Sequence, residues 1–215
     1  MCRASKGTEY GKTPIRDLLH MSSGVEFGED KDGGRDLDRL WIDMMGGYGP
    51  PAKGTIGSIM QFNRRIAAPG TRFYYASIEA DVLDVTLRYA VGKSASDYLH
   101  GFFNAVLRDY ARLGRVLAHD GAWDDQQILP MRWMIDATTV RASDEYLAPG
   151  RATPMLGYGY LVWLPPGTRR QFALIGANGQ RICIDATSKL ILVQTAVENT
   201  DEVWRLWSAL LEQFG

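Results

Sequence analysis

The chain has 215 residues, 46% of them hydrophobic and 23% charged, with a formal net charge of −1. That length suits one large domain or two small ones, and the near-neutral charge excludes an electrostatic footprint for nucleic acid or an anionic membrane surface. No apolar run approaches the roughly 20 residues of a membrane span, and two cysteines, Cys2 and Cys183, make no disulfide framework.

Met1 to Gly7 has no apolar core of a signal peptide, so a cytoplasmic, reducing compartment is the expectation. Thr13-Pro14 reads as a helix start, with Thr as N-cap and Pro at the first helical position. Ile15, Leu18, Leu19 and Met21 form its apolar side, and Ser22-Ser23-Gly24 stops it. A polar loop from Phe27 to Arg35 leads to a second helix over about Asp36 to Met45. Gly46-Gly47-Tyr48-Gly49-Pro50-Pro51 reads as a loop; it has no strand before it and ends in two prolines, which is the wrong context for a phosphate cradle. A third short helix covers about Ile56 to Arg65.

Pro69-Gly70 marks a turn, and Phe73-Tyr74-Tyr75 a short strand-like segment. Ser77 reads as the N-cap of a helix with Glu79 and Asp81 in its first turn, where the positive end of the helix dipole favours acids. Val82, Val85, Leu87 and Tyr89 give its apolar side, and Gly92 ends it. The next helix runs from about Ala105 to His119, capped by Asn104 and stopped by Gly121, with Val106, Tyr110, Leu113 and Leu117 toward the core. Pro130 starts another helix, to about Thr138, and Ser143 to Pro154 reads as a surface loop.

From Leu156 the period changes to two. Leu156–Leu164, Gln171–Ile175, Arg181–Asp185 and Leu190–Ala196 read as strands whose short connections imply antiparallel neighbours. Asp201 caps a final helix through Val203, Trp204, Leu206, Trp207, Leu210 and Leu211. The class is α+β: a mainly helical region over about 13–140, then an antiparallel sheet covered by a C-terminal helix over about 156–215, read as one domain.

Three pieces, in this order, carry a family signature. The first is Pro14-Ile15-Arg16-Asp17-Leu18-Leu19-His20-Met21-Ser22-Ser23-Gly24, a helix ending in a Ser-Ser-Gly turn. The second is Pro69-Gly70-Thr71-Arg72-Phe73-Tyr74-Tyr75-Ala76-Ser77, of the form PGT-x-F-x-Y-x-N/S. The third is the strand turn Gly176-Ala177-Asn178-Gly179-Gln180, in the place of a Lys-Thr-Gly or His-x-Gly box. With them the chain resembles the serine hydrolases of the β-lactamase and penicillin-binding superfamily, in particular the class C-like enzymes, their related family VIII-type esterases and the 6-aminohexanoate-dimer hydrolases.

The resemblance implies acyl transfer. A serine in Ser-x-x-Lys attacks an ester or amide carbonyl, Lys and Tyr move its proton, and backbone N–H groups stabilise the oxyanion. A tyrosine with a pKa near ~10 is a poor base until a lysine charge lowers it. Carried onto this sequence, Tyr75 is the general base or acid, and Ser77 is the polar second position of its element and a substrate contact. Gln180 supplies the edge-strand oxyanion N–H, with Asn178 and Gly179 beside it as substrate-binding residues. Ala177 stands where Lys or His is usual, which turns the expectation from β-lactam or peptide carboxylates toward small esters or linear amides. No cofactor is implied, and no His, Cys or carboxylate spacing fits a metal.

The family's nucleophile is the departure. Three residues before Lys6, Lys12, Lys31, Lys53, Lys93 and Lys189 stand Arg3, Glu9, Gly28, Pro50, Ala90 and Ala186, so no Ser-x-x-Lys occurs. Ser5-Lys6 cannot substitute, because adjacent residues do not share a helix face. Only His100 and Gly101 separate Leu99 from Phe102, where the family has a longer connection. The expectation is an N-terminally incomplete domain, inactive alone, whose uncovered apolar face or sheet edge could pair copies of the chain. A non-catalytic ligand-binding or self-associating module that keeps the family cleft, and a non-functional fragment, stay open.

Without the resemblance the same residues have plainer roles. Tyr75 is a packed aromatic, Ser77 a cap, and Asn178-Gly179 a hairpin turn. His20 packs in a helix, while His100, His119 and Asp124-Asp125 are solvated. Cys183 is an inert small hydrophobe, and Tyr158, Tyr160 and Trp163 pack on the sheet rather than line an acyl pocket. No Gly-x-Ser-x-Gly elbow is present, which argues against an α/β-hydrolase.

Overall fold

Apolar residues at helical spacing alternate with Ser/Gly/Pro turns through the N-terminal half, and they fold into short helices around a small core. A computed structural model describes residues 7–29, 35–45, 54–91, 105–195 and 201–215, and the chain divides into two units, Met1–Phe102 and Phe103–Gly215. Gly46 to Pro51, Gly92, His100, Gly101 and Asn104 lie outside the described residues. No helix among the described residues is long and apolar enough to cross a membrane.

The first unit contains α1 (Ile15–Leu19), α2 (Arg35–Met45), α3 (Gly54–Ile59) and α4 (Ser77–Val91). Tyr10, Leu18, Val25, Phe27, Leu40, Ile59, Phe62, Ile78 and Val82 form its core, with Phe27 and Phe62 edge to face at 5.0 Å. Val25 bridges Arg65 antiparallel, and the Ile66 N–H donates to the Gly24 carbonyl at 2.8 Å. Gly24 is required there: its φ is 71°, and a Cβ would lie 2.0 Å from the Ala67 carbonyl oxygen.

Several expectations shift. Pro14, with ψ 141°, is the N-cap of α1 rather than its first residue. Thr13 is not the cap; its hydroxyl donates to the Glu9 carbonyl at 2.9 Å and accepts from Arg65 at 3.0 Å. α3 stops at Ile59, short of Arg65. Phe73 to Tyr75 joins no strand among the described residues; the Tyr74 N–H donates to the Met21 carbonyl at 2.8 Å instead. In α4, Ile78 and Val82 are buried, whereas Leu87 and Tyr89 are exposed and not core-facing.

The second unit is built on a five-stranded antiparallel sheet in the order β3 (Gly157–Tyr158), β4 (Trp163–Leu164), β5 (Gln171–Ile175), β6 (Arg181–Asp185), β7 (Leu190–Gln194). The register places Phe172 opposite Ile184 and Ile184 opposite Ile191. This row packs with Leu113 and Leu117 of α5 (Leu107–Ala118) and Met134 of α6 (Met131–Ala137). The alternate row, Ala173, Cys183 and Leu192, packs with Trp204, Trp207 and Leu211 of α7 (Glu202–Phe214). Period-two alternation thus puts one set of side chains on each helical layer.

β5 and β6 match their predicted bounds, and β7 ends at Gln194. Leu156–Leu164 is not one strand. Leu161 takes φ 56°, and the segment folds into the β3–β4 hairpin. A second hairpin, β1 (Ala122–Trp123) with β2 (Gln126–Gln127), flanks Asp124-Asp125 and has no counterpart in the sequence reading. Ala142–Leu147 is a 3-10 helix with Asp144 and Leu147 buried, not wholly a surface loop. Pro130 is a cap, one position before the helix, and Val106 is exposed. Asp201 is the N-cap of α7, but its side chain makes no capping hydrogen bond.

Candidate functional site

The first two sequence motifs meet in the first unit. The Gly70 N–H donates to the Ser22 carbonyl at 2.9 Å, and the Tyr74 N–H to Met21, so the Pro69–Ser77 stretch lies along the Ser22-Ser23-Gly24 turn. From the other side, the Ser23 hydroxyl donates to Glu79 Oε1 at 2.7 Å and the Ser23 N–H at 3.3 Å. Tyr75 is therefore held between a pinned turn and the first turn of α4, and it is 40% exposed.

Ser77 is the first residue of α4, not the residue ahead of it. The group that caps the helix is Glu29, whose carboxylate accepts from both the N–H and the hydroxyl of Ser77. An acid there satisfies an orphan N–H and complements the helix dipole. Tyr75 also hydrogen-bonds Ser77. Burial raises the Tyr75 pKa, the Glu29 charge raises it further, and the Ser77 hydrogen bond opposes them without prevailing. Asp81 is pushed up to about 6 by burial, then by Asp84 and Glu29. At neutral pH Tyr75 is a phenol that can give a proton; to take one it needs a cation nearby.

Glu79, read as a dipole-complementing acid, is in fact 2% exposed. Burial pushes its pKa up to about 8, against the hydrogen bonds from Ser23, with the Asp17 charge adding to the rise. Its Oε2 accepts no hydrogen bond among the described residues. Its role is to brace the turn beneath Tyr75.

In the second unit, Asn178, Gly179 and Gln180 come together at the β5–β6 turn. Ala177–Gly179 is a 3-10 turn in which Asn178 takes φ 58° and Gly179 φ 84°. The Gly176 N–H donates to the Gln180 carbonyl at 2.9 Å, and Gln194 Nε2 donates to the Gly179 carbonyl at 2.9 Å. The turn is thereby tied at both ends, with Gln180 directly ahead of β6; β6 lies between β5 and β7, so the expected edge-strand position of Gln180 is not what the sheet order gives. A cavity of about 320 Å³ adjoins it, lined by Gly176, Gln180, Leu113, Leu174, Ile182 and Val193 among others. Tyr158 pairs with Trp163 at 4.8 Å, and Tyr160 with Trp133 at 5.0 Å; none of these three hairpin aromatics lines the cavity. Cys183 is buried and its thiol pushed up to about 12 by that burial, so it is inert. His20 is buried and His119 is exposed at the end of α5. No group of three or more His, Cys, Asp or Glu among the described residues could hold a metal.

Sequence reasoning missed Glu29. It stands 48 residues before Ser77, and no local pattern links the two.

No protein-family model matches the sequence, and no curated protein does. Solved structures match it. A Bacillus anthracis protein assigned as a 6-aminohexanoate-dimer hydrolase superposes with TM-score 0.75 at 22% identity, over 97% of this chain and 62% of its own. A Bacteroides dorei protein assigned as a β-lactamase gives 0.62 at 16% identity, over 99% of this chain and 75% of its own. A penicillin-binding protein from Bacillus halodurans gives 0.60 at 15% identity, over 95% and 74%. The chain thus spans less than two thirds of the Bacillus anthracis structure. At these identities the likeness is one of fold: the chain has the α+β fold that these three structures, of β-lactamase and penicillin-binding type, share.

Proposed function

We propose that this chain is the tyrosine-bearing part of a serine acyl hydrolase that acts on small esters or linear amides through an acyl-enzyme. The observation that carries the reading is the seat of Tyr75: the stretch that bears it is tied by the Gly70 and Tyr74 N–H groups to the Ser22 and Met21 carbonyls, directly ahead of α4. Tyr75 moves the proton between nucleophile and leaving group, and the Gln180 N–H stabilises the oxyanion. The apolar cavity beside Gln180 supports a small acyl group, and Ala177 supports a substrate without a carboxylate at that end. The 215 residues hold no Ser-x-x-Lys, so they do not turn over substrate alone.

The test has two arms. The purified chain is given p-nitrophenyl butyrate and a fluorophosphonate; neither turnover nor a labelled serine is expected, and a labelled serine would refute the inactivity. The chain is then joined to an N-terminal segment that carries the superfamily's Ser-x-x-Lys. Turnover should appear and be lost in Tyr75→Phe; retention in that variant removes Tyr75 from the chemistry.

A second reading, a non-catalytic ligand-binding or self-associating module, is favoured by Ala177 and by the lack of Ser-x-x-Lys. It predicts saturable ester or amide binding with no turnover even in the joined chain.

A further inference from the structure

Two cross-strand rows of β5, β6 and β7 face α5. Phe172, Ile184 and Ile191 make the inner row, and Leu174, Ile182 and Val193 make the outer row, next to the turn at 176–180. Gly114 lets α5 lie directly on the inner row, because a Cβ there would come 2.6 Å from a methyl of Ile191 and 3.3 Å from one of Ile182. The outer row is not closed in this way. Together with Tyr110 and Leu113 of α5 it lines the cavity of about 320 Å³ beside Gln180. We propose that this slot binds the acyl chain of the substrate and selects an aliphatic chain whose far end is uncharged. The inference rests on the reading of the Gln180 turn as the carbonyl end of the site.

Three features set what the slot accepts. Tyr110, Leu113, Leu174 and Val193 are only half-buried, so it holds apolar surface that an acyl chain would cover. Its polar groups stand at the turn: Gln180, and Gln194, whose Nε2 already donates to the Gly179 carbonyl at 2.9 Å. No Asp or Glu is among the described residues that line it. The one cation among them, Arg181, lies over the ring of Trp204 on α7, with its guanidinium carbon 5.3 Å from the ring centroid. A methyl end that enters the slot leaves water for hydrocarbon. An ammonium end would be buried with no counter-charge. The contact of Gly114 with the inner row closes the slot and limits chain length.

The experiment titrates the full 215-residue chain, its Leu, Ile and Val methyls labelled with 13C for NMR, with the straight-chain amides from propanamide to octanamide. The methyls of Leu113, Leu174, Ile182 and Val193 should shift. Affinity should rise about fourfold per added methylene, the ~0.8 kcal/mol of a buried CH2, until the chain reaches the Gly114 end. 6-Aminohexanamide should bind at least about tenfold more weakly than hexanamide. Val193→Trp fills the slot and should abolish the rise. Equal affinity along the series, equal affinity for hexanamide and its amino derivative, or an unchanged rise in Val193→Trp overturns the proposal. If Val193→Trp does not fold, Leu113→Ala takes its place: it enlarges the slot and should move the length limit to a longer amide, and an unmoved limit overturns the proposal. The hydrolase reading fails separately, by Tyr75→Phe retaining turnover in the joined chain, and that result leaves amide binding in the slot intact.

Discussion

Of the eleven buried polar or charged residues among those described, eight lie in the first unit: Thr8, Thr13, Asp17, His20, Ser22, Ser23, Ser58 and Glu79. The second unit has Thr138, Asp144 and Asp185. The difference follows from architecture. The second unit satisfies its backbone with sheet ladders, so apolar rows can fill both faces. The first unit has turns where the other has strands, and side chains take over the hydrogen bonding. Arg65, for instance, donates to the Ser23 carbonyl, the Glu9 carboxylate at 2.6 Å and the Thr13 hydroxyl. The unit that carries Tyr75 should therefore respond to protonation, and the unit that carries Gln180 to packing.

The largest effect should come from the packing side. Phe172 is 1% exposed and central to the α5-facing row. Phe172→Ala should cost about 3–5 kcal/mol in denaturant unfolding. Amide exchange should rise throughout β5 and β6. A loss under ~1 kcal/mol would mean that the sheet, despite its apolar faces, is not what holds the second unit.

On the polar side the sensitive group is Glu79. Its folded pKa of about 8 lies above the reference 4.5, because burial favours the neutral acid. Its contribution to stability is fully present below pH 4.5 and is lost as pH rises through about 8. Asp185 has the opposite sense. Burial would raise it, but Arg169, then Ser188 and Thr187, hold it below 3.8, so its contribution is present above pH 3.8 and lost as the pH falls through its lowered folded pKa. Amide exchange at pH 5 and pH 9 should show the first unit loosening at the higher pH, with Glu79→Gln flattening the change. Ser23→Ala should cost about 1–3 kcal/mol, because it removes the shorter of the two hydrogen bonds to Glu79 Oε1 and the acceptor of the buried Val25 N–H. Equal pH dependence in both units would erase the contrast.

Packing has its own close approach. A Cβ on Gly114 of α5 would come 2.6 Å from a methyl of Ile191 and 3.3 Å from one of Ile182. Gly114→Ala raises helix propensity, yet overpacking should win and cost about 1–3 kcal/mol. Adding Ile191→Val should recover part of it. If Gly114→Ala is stabilising instead, α5 can move away from β7.

These contrasts track what could be read from the sequence. β5, β6 and β7 were legible because alternation, short turns and antiparallel pairing all agree over those residues. α2 and α7 were legible from their apolar spacing. The two-residue strands are too short for a period, and Leu161 breaks the longer run with a left-handed φ that its side chain does not advertise. Pro14 and Pro130 fell one position out because the proline ring suits a cap as well as a first helical residue. Around Tyr75 the local motifs were legible, while the groups that govern it were not. Glu29 acts across 48 residues, and Glu79 looks solvated until the Ser23 turn closes over it.

The smallest effect should be on the surface, where neither unit's logic applies. Arg112 pairs with Asp109 at 2.8 Å, with side chains 58% and 43% exposed. Such a pair is screened by water and gives up side-chain freedom to form, so Arg112→Ala should cost only about 0.2–1 kcal/mol. Asp109 does more, because it also accepts from the Val106 N–H at 3.3 Å at the start of α5. Asp109→Ala should therefore cost more than Arg112→Ala, by the ~0.5–1 kcal/mol of a weak cap. Raising salt should shrink the Arg112 effect and leave the excess at Asp109, since a cap is a directional contact and the pair is a screened charge. Equal losses in the two variants would mean that α5 is held by β7 alone and that its first turn adds nothing.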